Sequence, residues 1–546
     1  MKKFTAILLA VVMVFALGAS AFAADTTPVT TKAVDTTLSV TVDYTIEGLY
    51  FDGTTLKSSA TNGYYPFNFS FIVSDRTAVG SITVSNGGSF AWASDSEDSE
   101  TESTTTTYGL VTLPTTSAST VTVTSKSGGT LTISCAQPNG GTSAAGTALY
   151  AYLPAPAQFV NEGVTTGGWG DAYDSNGAVK ANSTTGVSLG FFGGYAVYEF
   201  ENPIADDPTH PYGADFIVYG NAFWNNSEAG CIQVSKDGTT WYDIAGSMYY
   251  TKSTKGATIT YTNPSTSEDA GITAAGTNLG TLAPVNYTLN GTAGTVTTNT
   301  FHNHSWFPLN ANYFTASGSR AAMAKLDEFS FVSRTLASNG VTNTLTFTGT
   351  LLTDYPGTGK TDQIGFGYCD VHPNRTLGST IAYNPYQTFT SSSDYNTKTE
   401  GTGGGDPIDI AWAVDSKGAP ANLSSVKYVR IYTGMAQMNG IFGEISTEVC
   451  GVAACTGSTT ETAATPTITV GTSTVTTTNG GIKSVGMLSG TCTVNVSGTG
   501  YVYINGVATT SATFTPTSAG TKVQIIVQNG EAAPYVTWLN LKTGRA

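Results

Sequence analysis

The stretch from Val187 to Trp241 constrains the fold of this chain more than any other. Three runs in it are rich in Val, Ile, Tyr and Phe and are bounded by Gly, Pro, Asn or Asp, which is typical of β-strands. These runs are 194–200, 214–219 and 231–235. A tight turn is predicted next, at Lys236-Asp237-Gly238, because Gly tolerates positive φ and Asp hydrogen-bonds the turn backbone. The stretch therefore predicts an antiparallel β-sandwich with a long polar loop between its second and third strands.

The composition of the whole chain agrees with an all-β protein. Only 11% of the 546 residues are charged and the net charge is −15. Thr, Ser, Gly, Val and Tyr dominate over strong helix formers, which favours an all-β class. The sequence contains no basic patch of the kind that binds nucleic acid, so we expect no nucleic-acid partner.

Residues 1–23 have the pattern of a secretory signal peptide. Lys2 and Lys3 precede an apolar run over 6–17, and Ala21-Phe22-Ala23 matches an A-x-A cleavage site. The apolar run is too short to span a bilayer, and no second long apolar segment follows it. We therefore expect cleavage after Ala23 and a secreted or cell-surface protein without a transmembrane segment in its mature chain.

Strand spacing and composition divide the remainder of the chain into three β units. The expected divisions are a flexible leader over 24–36, an N-terminal β domain over 37–152, a central sandwich over 153–455, a linker over 456–464 and a small Ig-like sandwich over 465–546. In the N-terminal unit, 117–136 predicts a hairpin that turns at Ser127-Gly128-Gly129.

Several motifs of the central unit occur together in a fixed order. They include VSLGFFGGYAVYEF (187–200), GADFIVYGNAF (213–223) and DPIDIAWAVDSKGAP (406–420). In these motifs, residues 153–450 resemble a family of poorly characterised bacterial cell-surface proteins found in Bacteroidetes and Firmicutes. The resemblance implies a jelly roll, similar to discoidin-type and galactose-binding-like domains, with a role in binding at the cell surface. Some members sit beside corrinoid-uptake systems, which implies corrinoid capture as an alternative. This chain has Glu228-Ala229 where the family has Glu-Pro.

Aromatic and amide side chains in loops of the central unit are the candidate ligand contacts. They are Trp224, Asn225, Trp306, Tyr383 and Tyr386. Aromatic faces beside amides suit sugar rings and other flat, partly apolar ligands. The alternative is that these rings cap the hydrophobic core from outside. The interpretation is non-enzymatic binding of an extracellular glycan, another small molecule or an envelope component.

Acidic residues near the ends of predicted strands are candidate metal ligands. They are Glu228, Asp370, Asp406 and Asp409. In a jelly roll such oxygens can converge on Ca²⁺, a hard cation that takes several carboxylates and carbonyls. The alternative is that they are strand-end caps and turn residues. A structural Ca²⁺ is the one cofactor that the sequence suggests.

Another pair of acidic residues, Glu444 and Glu448, leaves an enzymatic alternative open. Four positions apart on a strand, they would point to the same face, and glycoside hydrolysis uses two carboxyl groups. The spacing does not distinguish a catalytic pair from two residues on a solvated face. A carbohydrate-active enzyme and a structural or adhesive cell-envelope protein are therefore kept as alternatives to the binding protein.

Six cysteines in an exported chain allow fifteen pairings. Cys450 and Cys455 close the shortest loop, so this pair is the predicted disulfide. His372, which precedes a proline in a predicted loop, is expected to be exposed.

Overall fold

The computed structural model confirms the all-β prediction. It describes residues 30–42, 49–52, 54–58, 68–92, 108–113, 118–135, 147–160, 187–222, 227–264, 283–299, 306–308, 329–336, 342–353, 365–372, 381, 383–387, 405–439 and 443–546. These residues form 35 strands and three short 3₁₀ turns, without an α-helix among them. The 3₁₀ turns are Arg76–Ala78, Pro211–Gly213 and Ile410–Trp412.

In the N-terminal unit, the residues that the structure describes form two five-stranded sheets. Its strands are β1 Thr30–Ala33, β2 Ser39–Val42, β3 Leu49–Asp52, β4 Thr55–Ser58, β5 Asn68–Val73, β6 Val79–Val84, β7 Ser89–Trp92, β8 Tyr108–Thr112, β9 Ser119–Ser125 and β10 Thr130–Cys135. The strand orders are β1-β2-β5-β8-β7 and β3-β4-β10-β9-β6. A separate core forms between them, around Val40, Val111, Val123 and Ile133.

Two sequence expectations for this unit can be compared with the structure. The hairpin is confirmed, because β9 and β10 pair antiparallel across the Ser127–Gly129 turn and bury alternate residues on one face. The flexible leader expected over 24–36 includes β1, which pairs with β2, and residues 24–29 lie outside the described residues. Backbone hydrogen bonds to β2 make β1 part of the first sheet.

The described residues of the central unit form sixteen strands in four sheets. They are β11 Thr147–Leu153, β12 Val187–Ser188, β13 Tyr195–Ala205, β14 Phe216–Tyr219, β15 Gly230–Ser235, β16 Tyr242–Ile244, β17 Ser253–Thr262, β18 Val285–Leu289, β19 Thr292–Val296, β20 Val332–Leu336, β21 Thr342–Leu352, β22 Asp406–Ile408, β23 Ala413–Val414, β24 Ser425–Thr433, β25 Glu448–Val449 and β26 Gly451–Ala454. The strand orders are β11-β13-β24-β15-β16-β23, β19-β18-β17-β21-β20, β22-β14-β26 and β12-β25. Since β11 pairs with β13, the central unit begins before the expected boundary at 153.

The three predicted strands at the start of the central unit are observed as β13, β14 and β15, and the turn after β15 is also confirmed. The carboxylate of Asp237 accepts hydrogen bonds from the backbone N–H groups of Thr239 and Thr240. Gly238 has a φ of 74°, which explains the need for glycine there. Although they follow one another in sequence, the three strands are not neighbours: β24 separates β13 from β15, and β14 belongs to another sheet.

The six-stranded sheet is covered on both of its faces. On one face, Tyr195 of β13 contacts Phe347 of β21, with ring centroids 6.3 Å apart. On the other face, Phe200 of β13 contacts Phe216 of β14, at 6.2 Å. Every residue from Tyr195 to Phe200 is buried, as expected for a strand whose two faces both pack against protein.

The C-terminal unit is a sandwich of a four-stranded and a five-stranded sheet. Its strands are β27 Thr467–Val470, β28 Ser473–Val475, β29 Ile482–Val485, β30 Cys492–Ser497, β31 Tyr501–Ile504, β32 Val507–Ala508, β33 Ser511–Phe514, β34 Thr521–Gln528 and β35 Tyr535–Leu541. The orders are β28-β27-β30-β33 and β29-β35-β34-β31-β32. Val494, Val523, Ile525 and Leu539 form the core between the sheets.

The C-terminal sandwich shares a hydrophobic core with the central unit. Tyr503, Ile526, Val536 and Trp538 belong to the same buried cluster as the central strands. Trp538 donates its indole N–H to the Tyr250 hydroxyl at 2.9 Å. The linker is also tied down, since the Thr459 N–H donates to the Thr209 carbonyl at 2.8 Å. The two units therefore form one packed body.

We expect Tyr503→Ala to loosen the central and C-terminal units from each other. Tyr503 is 8% exposed, its hydroxyl donates to the Tyr386 carbonyl at 2.6 Å and its ring lies 5.2 Å from Phe366. Removing a buried aromatic side chain lowers the free energy of unfolding by about 3–5 kcal/mol. Calorimetry should show a lower melting temperature and a separate transition for the C-terminal sandwich. Tyr501→Ala, two positions earlier on the same strand and 39% exposed, is the matched control and should melt like the parent. Equal effects of the two substitutions would contradict the shared core.

Candidate functional site

Three acidic side chains from separate segments meet at one end of the central unit. Glu228 precedes β15, Asp370 follows the isolated bridge between Gly230 and Cys369, and Glu448 begins β25. One carboxylate oxygen from each of the three lies within 4.8 Å of the other two. The backbone holds this arrangement, because the Glu228 N–H donates to the Asp370 carbonyl at 3.1 Å. We call these residues the first acidic triad.

Asp370 anchors the triad through its own carboxylate. One oxygen accepts the N–H groups of Asn221 and Ala222 at 2.7 and 2.8 Å, and the other accepts the N–H of Glu448 at 3.1 Å. Its φ of 60° lies in the left-handed region, which is strained for a residue with a Cβ. Three amide hydrogen bonds to a buried carboxylate offset that strain.

Burial and mutual repulsion favour the protonated form of the three carboxyl groups in the first acidic triad. Burial, followed by the Asp370 charge, raises the pKa of Glu228 to about 8. Burial also raises the pKa of Asp370 to about 7, against the lowering effect of its amide donors. The pKa of Glu448 is raised well above its ordinary value by burial and then by the charges of Glu228 and Asp370. At neutral pH without a cation, the triad therefore keeps protons that exposed carboxyl groups would have released.

Asp406, a predicted metal ligand, is not part of this triad. Its carboxylate lies 2.7 Å from Nδ1 of His372 and accepts the N–H of Val371 at 3.1 Å. The hydroxyl of Tyr383 is also 2.7 Å from His372 Nδ1. His372 is 8% exposed, so the expectation of an exposed histidine is wrong. The loops at 371–372 and 383–387 pack together and bury it.

Asp409 belongs to a second acidic triad, formed with Asp206 and Asp215. Asp215 accepts the backbone N–H groups of Asp207 and Ile410, both at 2.9 Å, and lies 3.3 Å from His210 Nδ1. Burial raises the pKa of Asp206 to about 7 and that of Asp409 well above its ordinary value. The four predicted ligands therefore divide between two triads and one histidine contact.

Both triads offer only carboxylate oxygens, which fits Ca²⁺ or Mg²⁺ better than zinc or copper. Glu228 and Asp370 were predicted for this role, and Asp409 was predicted but meets different partners. Asp206 and Asp215 were missed, and Glu448 was noted only as half of a catalytic pair. Each triad combines segments far apart in sequence, so its full membership could be known only from the strand pairing.

The structure contradicts the exposed position expected for three of the five candidate ligand contacts. Trp306, Tyr383 and Tyr386 are 2%, 5% and 1% exposed. Flanking Asn, Ser and Pro predicted surface loops, since connecting segments usually run over the surface. Tyr386 is instead covered by the C-terminal sandwich, because its backbone carbonyl accepts the Tyr503 hydroxyl. Trp224 and Asn225 lie outside the described residues.

The predicted disulfide between Cys450 and Cys455 is wrong. These cysteines flank β26. The Cys450 N–H donates to the carbonyl of Tyr219, the last residue of β14, and the Cys455 N–H donates to the carbonyl of Asp215, the residue before β14. Residues five positions apart in an extended strand have Cα atoms about 16 Å apart, whereas a disulfide needs at most about 7 Å. Both cysteines are buried, and no disulfide joins them.

Comparison with known proteins adds no family assignment. No protein-family model matches the sequence, and no curated protein matches it. Among the residues that the structure describes, none belongs to a helix with the length and hydropathy needed to traverse a bilayer.

We expect the chelator-treated protein to lose stability as the pH rises from about 5 to 8. Burial raises the pKa of Glu228 from its ordinary 4.5 to about 8 and that of Asp370 from its ordinary 3.8 to about 7. The folded state then holds protons that the unfolded chain has released, so stability is greatest at the acid end of this window. One such proton corresponds to about 1.4 kcal/mol per pH unit, or roughly 3 °C in melting temperature.

Thermal melts at pH 5, 6, 7 and 8 in EDTA would measure this slope. Glu228→Gln should flatten it, because glutamine does not titrate. Glu201→Gln, at an exposed position of β13, is the matched control and should leave the slope unchanged. A melting temperature that stays constant or rises over this range would contradict the buried protonated triad.

Proposed function

We propose that the protein is an exported, non-enzymatic surface protein that adheres to extracellular material through a broad face of a rigid body. The observation that carries this proposal is the single hydrophobic core shared by the central and C-terminal sandwiches. A shared core fixes the two units relative to each other, so the body can present an extended surface without a hinge. The secretory pattern at 1–23 supports export.

Adhesion by a broad face is favoured over recognition by the predicted aromatic loops. Trp306, Tyr383 and Tyr386 pack inside the protein, where their rings are not available to a ligand in solution. Tyr386 in particular has its hydroxyl bonded to the Trp412 indole at 3.0 Å. Stacking of a sugar on Tyr386 would require the C-terminal sandwich to leave, at the expense of the shared core.

The carboxyl groups argue against the alternative of a glycoside hydrolase. Such enzymes hold two carboxyl groups about 5–10 Å apart with the substrate between them. The carboxyl groups of Glu228 and Glu448 instead hydrogen-bond to each other. Glu444 is 2% exposed and accepts the backbone N–H of Gln158 at 3.1 Å. These groups are engaged in holding loops together.

A structural Ca²⁺ at the first acidic triad remains part of the proposal. Three carboxylates converge there, and the ion would neutralise charges that otherwise require protons. Glu228, Asp370 and Glu448 would hold it and so fix the loops before β15 and β25. Repeating the pH 8 melt with millimolar Ca²⁺ in place of EDTA should raise the melting temperature, and Glu228→Gln should reduce that gain. An unchanged melt would remove the ion from the proposal.

The adhesive function is tested with the full chain lacking 1–23. Labelled protein is incubated with immobilised mucin, insoluble peptidoglycan, chitin, cellulose and collagen. We expect depletion from solution by at least one of these materials, with no soluble sugar or peptide released. Release of product in proportion to the protein added would favour an enzyme. Absence of depletion by all five would overturn adhesion, and co-elution of a corrinoid with the protein would favour the capture alternative.

A further inference from the structure

One face of the five-stranded sheet β19-β18-β17-β21-β20 carries rows of small uncharged side chains in register across the strands, and all of them except Ala293 offer a hydroxyl or amide group. The first row is Thr295, Asn286, Thr262, Thr344 and Thr335. The second row is Ala293, Thr288, Thr260, Thr346 and Ser333. Thr258 and Thr348 begin a third row. We call these twelve residues the threonine face.

The threonine face points to solvent while the opposite face of the same strands builds the core. All twelve residues are exposed or half-exposed. The alternate residues Ile259, Tyr261, Leu345 and Phe347 are buried in the central cluster. Strand alternation therefore separates the two faces cleanly, as it does in a sheet with one wet side.

Contacts between neighbouring strands hold the side chains of this face in position. The hydroxyl oxygens of Thr260 and Thr346 are 2.8 Å apart, and those of Thr258 and Thr348 are 3.2 Å apart. Threonine is also stiff at χ1, so little side-chain freedom remains to be lost on binding. The face presents hydroxyl and methyl groups about 4.8 Å apart across strands and about 6.7 Å apart along them.

The chemistry of the threonine face excludes most classes of partner. None of the twelve side chains is charged, so a nucleic acid or an anionic polymer finds no cation there. It has no aromatic or long aliphatic side chain, which a membrane surface or the centre of a protein interface would need. The polar groups that this face offers are hydroxyl and amide groups. They can hydrogen-bond to a partner that is itself uncharged and rich in hydroxyl groups.

We propose that the threonine face binds the flat surface of an uncharged polysaccharide. A protein with a net charge of −15 repels anionic polymers, whereas an uncharged partner meets no such barrier. Many weak hydrogen bonds and methyl contacts, repeated along a regular polymer, would give affinity without a pocket. This inference rests on the proposed adhesive function and names the surface and the material.

The test compares hydroxyl loss on this face with the same loss elsewhere. Thr260→Val with Thr346→Val removes the central hydroxyl pair while keeping shape and strand preference. Thr260→Glu places a charge in the middle of the face. The matched control is Thr493→Val with Thr513→Val, a cross-strand pair on the C-terminal sandwich whose hydroxyl oxygens are 3.4 Å apart. Circular dichroism and thermal melting check that each variant is folded.

Binding isotherms to insoluble cellulose, chitin and β-1,3-glucan are compared with those to polygalacturonate and mucin. We expect the parent to bind an uncharged polysaccharide, the double valine variant to bind about fivefold more weakly and Thr260→Glu about tenfold more weakly. The control pair should bind within about twofold of the parent.

Other outcomes separate this inference from the proposed function. Undiminished binding by folded variants of the threonine face would overturn the inference and leave adhesion intact, as would binding to mucin or polygalacturonate alone. Binding to no material would overturn both. A parent dimer that the valine substitutions dissociate would assign the face to self-association, and the inference would fall.

Discussion

The pairing of β13 with β24 in the middle of the six-stranded sheet is the interaction on which the central unit depends. It joins Tyr195 to Tyr432 and Glu199 to Tyr428, across more than half of the unit's length in sequence. The first six residues of β13 and the last five of β24 are buried, and layers of sheet lie on either side of the buried part of β13.

The same sheet buries the charged side chain of Arg430. Aromatic rings and hydrogen bonds around it offset part of the free energy lost on removing it from water. Arg430 of β24 is fully buried, with its guanidinium carbon 3.3 Å from the centroid of Phe331. One of its nitrogens donates to Gln233, which in turn donates to Asp243. Burial lowers the pKa of Arg430 to about 10, which still leaves the side chain cationic at neutral pH. Cation–π contact is worth more in such a desolvated setting than at a surface.

The buried ionisable side chains and the exposed hydroxyl-rich face lie in different parts of the molecule. Asp370, Asp215 and Asp406 are buried near strand ends, where their carboxylates accept backbone N–H groups that would otherwise lack partners. The twelve residues of the threonine face are uncharged, and eleven of them carry a hydroxyl or amide group. A function carried by exposed surface is therefore more consistent with this structure than one carried by its ionisable residues.

Local sequence was sufficient to determine strands β13, β14 and β15, the β9–β10 hairpin and the Asp237 turn. Residue patterns and turn chemistry act between residues close in the chain. Local sequence also determined the all-β class, whereas the pairing of β1 with β2 and of β11 with β13 lay beyond its reach. Which carboxylates meet, and whether a loop aromatic is exposed, was decided only by tertiary structure. Thr447 donates to the Glu228 carbonyl across 219 positions, and Tyr386 is covered by a sandwich that begins after it in the chain. Such contacts depend on strand order and domain docking, and neither leaves a periodic pattern in the residues nearby.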